Sequence, residues 1–284
     1  MRKKYNINKG KLPLSQGVKS VFQRNTRFEN PGLVFNKFIN EWRVLENGGR
    51  ILTEWSLKVT VQRKTGSQLF LEKIVRKFKS TNGGTKKLWE ETMRKRDLFI
   101  ERLKNQGYEV KSFLASTQWR FVTGLGMAHV LETGFLFDRN TGVPFISGSS
   151  IKGAARAFAK LNGLDKDLIE IFGPEGDEAK KNPSQGKVVF FDAYPAQWPS
   201  LKVDIMNVHY KEYYEDKAPP ADYLSPVPIY FLTVAPDTKF KFYLAVKGIQ
   251  YKSFLKKTEQ LLKGALEDIG IGAKTAVGYG YFNP

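Results

Sequence analysis

The chain has 284 residues, which is enough to bury a hydrophobic core in one large domain or in two small ones. Its 41% hydrophobic and 26% charged residues are typical of a folded globular protein. The lack of cysteine excludes disulfides, thiolate metal sites and cysteine nucleophiles, and two histidines are too few for a histidine-rich metal centre. No apolar run approaches the roughly 18 residues of a membrane span, and no apolar stretch follows the basic N-terminus as in a secretory signal. We therefore expect a cytoplasmic protein without a cofactor, a metal site or a membrane partner.

Positive charge is the strongest global feature of the sequence. There are 46 Lys and Arg residues against 28 Asp and Glu residues, a net charge of +18. Such a surplus attracts polyanions and speeds their association. Residues 1–27 contain eight basic residues and no acidic one, the pattern of an arm that is mobile until it meets phosphates. A solubility feature or an adaptation to heat is the alternative, but the distribution favours a nucleic-acid partner.

The predicted elements of the first part of the chain are mostly helical. After the irregular arm, apolar residues at helical spacing predict a short helix over 34–45, and alternation predicts a strand over 54–62. Residues 85–106 form the clearest helix, with an apolar face and a basic side that is typical of a solvated surface, while a nucleic-acid site on that side stays open. That basic side carries Arg94, Lys95, Arg96 and Arg102. We expect residues 1–115 to be a basic arm and helical extension that packs on a core formed by residues 116–284, as one compact unit.

From residue 116 the pattern changes to that of a mixed α+β fold. Strands are predicted over 116–124, 186–194, 229–235, 238–246 and 277–282. One helix is predicted to begin near residue 149, and a second helix is predicted over 253–269. The order is strand, helix, strand, strand, helix, strand with one additional strand inserted. It is the order of ferredoxin-like folds and RNA-recognition motifs. A segment rich in glycine and charge, residues 173–186, is predicted to be a flexible insertion.

The segment GIGAKTAVGYG, residues 270–280, concentrates glycines around a Lys-Thr pair. Gly270 is expected to cap the preceding helix in the left-handed conformation, and Gly272 is expected to let a partner backbone approach closely. Lys274 and Thr275 would supply a charge and a hydroxyl beside loop amides that can bind an anion. The alternative is a tight turn from helix to strand with a bulge.

The end of the same segment is predicted to be the final strand. Gly278 and Gly280 alternate there with Tyr279 and Tyr281, which would leave one face open beside a stacking ring. An NTP-binding loop is excluded, because that loop needs a strand before it, a glycine directly before its lysine and a helix after it.

The segment GVPFISGSSIKGAARAFA, residues 142–159, is the second candidate for a phosphate-binding site. Ser149 or Ser150 can cap a helix there, and the first-turn amides beside Lys152 would form a phosphate cradle. Gly153 is followed by alanines, which indicates close packing against, or close passage of, another backbone. Arg156 lies one turn beyond Lys152, on nearly the same face. A plain capped helix is the alternative.

Together the two segments resemble the RAMP superfamily, relatives of the RNA-recognition motif that build CRISPR effector complexes. The residues that carry the resemblance are PFISGSSIKG at 144–153, which enters a helix, and GIGAKTAVGYG at 270–280, a C-terminal glycine-rich loop. The stretches TGLGMAHVLETGFLFDRNTGVPF and VDIMNVHYKEYY are similar to the sixth subunits of Cmr, or type III-B, complexes. The resemblance covers residues 116–284.

The resemblance implies a ferredoxin-like subunit near the head of a helical ribonucleoprotein in antiviral defence. Such a subunit binds the distal part of the CRISPR guide RNA and joins neighbouring RAMP subunits. Target cleavage in that family belongs to the repeated backbone subunit, so this chain would be non-catalytic, with no small-molecule substrate. Its RNA-binding residues would be Ser149, Ser150, Lys152, Arg156, Gly270, Gly272, Lys274, Thr275, Gly278, Tyr279 and Gly280.

Two other functions stay open. A metal-independent endoribonuclease that processes CRISPR repeat RNA would use His129 or His209 as general acid or base, although a lone histidine beside aromatic residues is more often a packing residue. A metal-dependent nuclease would need a cluster of carboxylates, whereas the contexts of the candidates are those of turns and strand ends. The candidates are Asp138, Asp192 and Asp204.

A protein-only assembly cap is the third possibility. Its basic surface would meet protein rather than RNA, and its tyrosines would then contact a partner subunit instead of stacking on bases. These tyrosines are Tyr210, Tyr213, Tyr214 and Tyr223.

Overall fold

The structure is a computed structural model, and it describes residues 4–6, 15–16, 30–42, 44–47, 50–51, 56–58, 60–61, 64–80, 83–164, 167–208, 213, 216, 219 and 226–284. The chain forms two compact units. The smaller unit comprises Met1–Asn82, Leu125–Phe135 and Leu201–Thr233, and the larger unit comprises Gly83–Gly124, Leu136–Ser200 and Val234–Pro284. Within the described residues, no helix combines the length and the apolar character that crossing a membrane requires.

The elements follow one another as a mixture of helices and strands, which confirms the predicted α+β class. The first half contains β1 (Lys4–Asn6), α1 (Pro31–Lys37), β2 (Val44–Asn47), β3 (Arg50–Ile51), β4 (Thr60–Val61), β5 (Lys64–Thr65), α2 (Gly66–Lys79), α3 (Gly84–Asn105) and β6 (Tyr108–Thr117). The second half contains α4 (Gly148–Leu161), α5 (Leu168–Phe172), α6 (Gly176–Lys181), β7 (Val188–Phe190), β8 (Tyr194–Pro195), β9 (Leu201–Val208), β10 (Val227–Val234), β11 (Lys239–Lys247), α7 (Lys252–Gly264) and β12 (Phe282–Asn283).

An antiparallel sheet with the order β12-β6-β11-β7 forms the centre of the larger unit. Strand β11 pairs with β6 along its whole length and with β7 and β8 on its other side. Phe240, Phe242 and Leu244 are fully buried on one face of β11. The other face is covered as well, since Tyr243 is buried and donates a hydrogen bond to Asp97 of α3 at 2.5 Å. The core of this unit therefore lies on both sides of β11.

Helix α3 confirms the long helix predicted before the core, but one residue of its basic side is not solvated. Arg96 places its guanidinium over the rings of Tyr194 and Tyr243, 4.8 and 5.2 Å from their centroids. It also donates a hydrogen bond to the backbone oxygen of Asp192, and desolvation lowers its pKa below the usual value. The reason is its place on the helix, one turn before the buried Ile100.

Helix α2 carries the core of the smaller unit, although the sequence does not predict a helix there. Phe70, Ile74 and Phe78 are buried at helical spacing, and the helix packs against β9. Its start is fixed by Thr65, whose hydroxyl accepts a hydrogen bond from the N–H of Gln68 at 3.1 Å. Strand β9, which pairs with β10, is also absent from the prediction.

The strand predicted over 116–124 is displaced. Strand β6 runs from Tyr108 to Thr117, and the chain leaves the sheet at Gln118. The stretch 118–124 instead lies against the C-terminal segment, where the N–H of Gln118 donates to the carbonyl of Tyr281 at 2.9 Å. The division of the chain between residues 115 and 116 stays a prediction, and β6 crosses it.

Three shorter segments also differ from the prediction. Helix α1 spans Pro31–Lys37, so it begins and ends earlier than the helix predicted over 34–45. Lys4–Asn6, inside the arm predicted to be irregular, pairs with β2 as a strand. Helix α6 lies within the segment predicted to be a flexible insertion, residues 173–186.

Candidate nucleic-acid interface

The glycines of the loop at residues 270–280 are needed for the packing of the chain itself at two positions. Gly272 has a φ of +98°, and a Cβ there would lie 2.3 Å from the carbonyl oxygen of Val122. Gly280 has a φ of +75°, and a Cβ there would lie 2.0 Å from the carbonyl oxygen of Ile271. Both the backbone conformation and the contact exclude a side chain. The close backbone approach predicted at Gly272 is therefore made by this chain.

Backbone hydrogen bonds hold this glycine loop against the segment that follows β6. The N–H of Ala273 donates to the carbonyl of Val122 at 2.9 Å, and the N–H of Gly280 donates to the carbonyl of Arg120 at 3.0 Å. Within the loop, the N–H of Ile271 donates to the carbonyl of Gly280 at 2.8 Å. These bonds close the loop at its base and leave its middle part facing outward.

The predicted final strand over 277–282 is wrong, because the glycine loop continues almost to the end of the chain. Residues Thr275–Val277 form a 3₁₀ turn, and only Phe282–Asn283 pairs with β6. Gly278 and Gly280 have φ values of +92° and +75°, which an extended strand does not allow.

The accessible part of the glycine loop is the arc from Gly272 to Gly278. Gly272, Ala276, Val277 and Gly278 are exposed, while Lys274 and Thr275 are half-buried. Gly270, Tyr279 and Gly280 are buried, and Tyr279 is only 9% exposed. The ring of Tyr279 therefore does not form the predicted stacking face, and these buried residues shape the loop from inside.

The N-terminus of α4 is capped by Ser147 rather than by Ser149 or Ser150. The hydroxyl oxygen of Ser147 accepts a hydrogen bond from the N–H of Ser150 at 3.2 Å. The N–H of Gly148 donates to the carboxylate of Asp192 at 2.7 Å. A carboxylate of the chain therefore already lies at the positive end of the helix, and the predicted phosphate cradle is partly filled.

Close backbone packing in α4 occurs at Gly148, not at Gly153. A Cβ at Gly148 would lie 2.3 Å from the carbonyl oxygen of Phe190, whereas a Cβ at Gly153 would have no heavy atom within 4 Å. Gly153 is exposed, so the surface beside it is open. The prediction of close packing at Gly153 is wrong, but the open surface leaves room for a ligand there.

The two basic residues that are predicted to bind phosphate on α4 differ in their contacts with the rest of the chain. Arg156 donates to Glu175 at 2.8 Å and to the carbonyl of Gly173 at 2.5 Å, and it lies over the ring of Phe172. Lys152 is half-buried, and within the described part of the chain it forms no ion pair. Burial, and then the charge of Arg156, lower the pKa of Lys152 below its usual value. Arg156 is therefore compensated internally, whereas Lys152 still favours an anion.

Helix α4 and the glycine loop are connected through the C-terminal helix. Helix α4 packs along α7, where Gly264 faces Phe158 so closely that a Cβ would lie 2.4 Å from the ring. It also contacts the π-helical turn Ala265–Ile269, which leads directly into Gly270. The helix that carries Lys152 therefore contacts the turn that leads into the loop.

His129 is a packing residue. Its ring stacks on Phe35 at a centroid distance of 4.3 Å, and its Nδ1 accepts a hydrogen bond from the N–H of Leu131 at 3.2 Å. Its Nε2 lies 3.2 Å from the carbonyl oxygen of Phe35, so the neutral tautomer protonated at Nε2 satisfies both nitrogens. Desolvation lowers the pKa of His129 below its usual value. His209 lies outside the described residues.

The three aspartates weighed as nuclease ligands serve local structure. Asp138 accepts from the N–H of Thr141 at 2.7 Å in a turn, and Asp192 accepts from the N–H of Gly148 at the start of α4. Asp204 accepts from the N–H of its neighbour Ile205 at 2.9 Å. Within the ranges that the structure describes, no group of three or more His, Asp or Glu side chains could hold a metal ion. Tyr213 is 50% exposed, while Tyr210, Tyr214 and Tyr223 lie outside the described residues.

Comparison with curated proteins finds two CRISPR relatives. The chain is 35% identical over 223 residues to "CRISPR system Cmr subunit Cmr6" of Pyrococcus furiosus, and the match covers 58% of this chain and 65% of that protein. It is 29% identical over 222 residues to "CRISPR system CMR subunit Cmr6" of Saccharolobus solfataricus, with 74% of this chain and 68% of that protein covered. The chain thus spans about two thirds of the length of these relatives.

A solved structure shares the fold. It is a chain in a cryo-EM structure of the type III-B Cmr-β complex bound to cognate target RNA, with a TM-score of 0.59 and 24% sequence identity. The superposition covers 76% of this chain and 71% of that chain.

The family comparison covers the region that contains both motifs. The sequence model of the RAMP superfamily matches residues 120–283, which is more than half of the chain. This range includes α4 with its serine-rich entry, the central strand β11, helix α7 and the glycine loop. By the extent of this match, the chain belongs to the RAMP superfamily.

Proposed function

We propose that this chain is a non-catalytic RNA-binding subunit of a type III-B CRISPR (Cmr) ribonucleoprotein. In that role it would contact phosphates of the guide RNA and join neighbouring RAMP subunits in antiviral defence. The observation that carries the RNA contact is the accessible arc Gly272–Gly278 with Lys274 at its centre. The two Cmr6 relatives and the net charge of +18 support the assignment.

A ferredoxin-like core is the interpretation of the main sheet that best fits this role. If β6, β7, β11 and β12 are its four strands, α4 follows the first strand and α7 follows the third. The sheet order then reads fourth, first, third, second, with antiparallel pairing throughout. In this interpretation, the glycine loop connects the second helix to the last strand, and RNA-recognition motifs share the same core.

The proposed contacts are of two kinds. Lys152 and Lys274 contact phosphates directly, while Ser149, Gly272 and Thr275 shape the surface around them. Ser150, Gly278 and the buried loop residues support that surface, and Arg156 holds α4 to the segment after α5 through Glu175. Contacts of ammonium groups with phosphates carry no base information, so binding depends little on sequence.

The proposal gives His129 no part in catalysis. Both ring nitrogens already meet backbone groups, and a depressed pKa keeps the ring neutral near pH 7. A general acid or base would need one nitrogen free to exchange a proton with the substrate.

Replacement of Lys152 and Lys274 by alanine tests the proposal. We expect the double variant to bind single-stranded guide RNA at least roughly tenfold more weakly in filter-binding titrations, because two phosphate contacts are lost. The matched control is Lys95→Ala with Lys104→Ala, which removes the same charge from exposed lysines that are paired with Glu91 and Glu101. Equal binding by both double variants would refute the assignment of the two lysines.

A further inference from the structure

A basic groove lies at the end of the main sheet that is opposite to the glycine loop. It has a cavity volume of about 680 Å³ and is lined by the start of β6, the chain around the start of β7 and the chain after β11. Strand β6 spans ten residues from Tyr108 at the groove to Thr117, which pairs with Phe282 beside the loop. At about 3.3 Å per residue, the two surfaces are roughly 30 Å apart.

The positive charge of the groove is not neutralised by any acidic side chain in the described part of the chain. None of its lining residues is acidic. Lys187 and Lys247 are exposed, and neither forms an ion pair with a described residue. The nearest acidic residue in sequence, Glu109, is paired with Lys252 at 3.2 Å.

Each lysine of the groove is placed against a tyrosine ring. The ammonium of Lys187 lies 5.5 Å from the ring centroid of Tyr251, and that of Lys247 lies 6.0 Å from the ring centroid of Tyr108. An aromatic face attracts an ammonium without neutralising it. The rings therefore keep both positive charges on the groove and leave them available to an anion.

We infer that this groove is a second contact for single-stranded RNA, in which Lys187 and Lys247 bind phosphates. The inference rests on the proposed function, since it takes RNA as the partner of the chain. Basic grooves with aromatic side chains are the common way to bind single strands, and the carboxamides of Gln185 and Gln250 add hydrogen-bonding groups.

RNA fits the groove better than an acidic protein segment does. Val189 is the only aliphatic side chain among the lining residues, and it is 37% exposed. A protein interface ordinarily has an apolar core inside a polar rim, which this lining lacks. The remaining surface consists of lysines, tyrosines, carboxamides, serine and glycine, which suit phosphates, ribose hydroxyls and bases.

The test is the double variant Lys187→Ala with Lys247→Ala in the full chain. Fluorescence anisotropy with a single-stranded RNA long enough to reach both surfaces is recorded over a range of salt concentrations. Loss of two phosphate contacts should lower the log–log salt slope by about 1.4, which is a loss of affinity of about 25-fold at about 0.1 M salt. Lys187→Arg with Lys247→Arg should retain most of the binding, since it retains the charge.

The control variants separate this inference from the proposed function. A loss no larger than that of Lys95→Ala with Lys104→Ala would overturn the inference, whatever the Lys152 and Lys274 variant does. A loss at the groove with none for Lys152 and Lys274 would support the inference and overturn the assignment of the loop. Unchanged RNA binding together with weakened binding of polyglutamate would overturn it in favour of an acidic protein segment.

Discussion

The two motifs of the family, the glycine loop and the entry into α4, look equally suited to phosphates in the sequence but differ in the structure. The arc Gly272–Gly278 of the loop is accessible, with Lys274 at its centre. At the start of α4, the amide of Gly148 is bonded to Asp192. One turn later, Arg156 is bonded to Glu175. The loop therefore has an accessible arc of backbone around Lys274, whereas the start of the helix is already bonded to the chain's own carboxylates.

The difference shows that residues of a ligand-binding motif can also be required for the packing of the chain. Gly148 and Gly272 both lie so close to a backbone carbonyl that a Cβ would be 2.3 Å from it. Gly153, in the same motif as Gly148, has open space around it. The lack of a side chain is therefore required by the packing at Gly148 and Gly272, whereas at Gly153 it leaves an open surface.

The largest expected effect is that of Gly272→Ala. Its φ of +98° and the contact with the carbonyl of Val122 together should lower the free energy of unfolding by roughly 3 kcal/mol. Urea denaturation at neutral pH measures it. Gly278→Ala is the matched control, because its φ is +92° but no heavy atom lies within 4 Å, so a loss of about 1 kcal/mol is expected. Equal losses for the two variants would contradict the packing role of Gly272.

Arg156→Ala should separate stability from RNA binding. The half-buried pair with Glu175 and the bond to the carbonyl of Gly173 should be worth about 1–2 kcal/mol of unfolding free energy. RNA affinity should change by less than about threefold, since the guanidinium is compensated in the free chain. Lys274→Ala should weaken RNA binding more than Arg156→Ala does, because Lys274 lies in the accessible arc of the loop. If Arg156→Ala weakens RNA binding as much as Lys274→Ala, the contrast between helix and loop is lost.

Asp192→Ala should destabilise the start of α4. It removes the acceptor of the Gly148 amide and a negative charge at the positive end of the helix, which together contribute about 1 kcal/mol. Asp192→Asn keeps an acceptor and should cost less than the alanine variant. The same denaturation experiment measures both, and no loss of stability in either variant would show that the carboxylate is not a working cap.

His129 should make the smallest contribution, visible only as a pH dependence. Its pKa in the folded chain lies below the usual value of 6.5, so the unfolded chain takes up the proton first as the pH falls. Its stabilising contribution is therefore complete above the unfolded pKa and is lost as the pH falls through the folded one. The loss should be below about 1 kcal/mol, because solvent screens a partly exposed ring. His129→Phe should remove this part of the pH dependence in denaturation curves between about pH 5 and pH 8.

Sequence patterns predict the elements of the larger unit well where the period is strong. The long helix α3, the central strand β11 and the C-terminal helix α7 with its π-helical turn all lie where apolar spacing indicates them. Strand β12 is an exception, since Gly280 has a φ of +75° and donates its N–H to the carbonyl of Arg120, a residue far away in the chain.

The accessible residues of the candidate site follow less directly from the sequence. The serines at 147, 149 and 150 are chemically equivalent as caps, and only the backbone geometry selects Ser147. The bonds of Asp192 and Glu175 with α4 join residues that are 44 and 19 positions from their partners. Such distant partners leave no local signal, so the sequence could name the basic residues but could not say which of them are compensated.

The most direct test of the central claim is a photo-crosslink from the accessible arc of the glycine loop. Benzoylphenylalanine replaces Val277, which is 64% exposed in the arc, or Leu161, which is 74% exposed at the other end of α4 and serves as the control. With bound guide RNA, irradiation should crosslink RNA from position 277 and give little from position 161. A crosslink from position 161 alone, or from neither position under conditions in which the RNA is bound, would contradict the account.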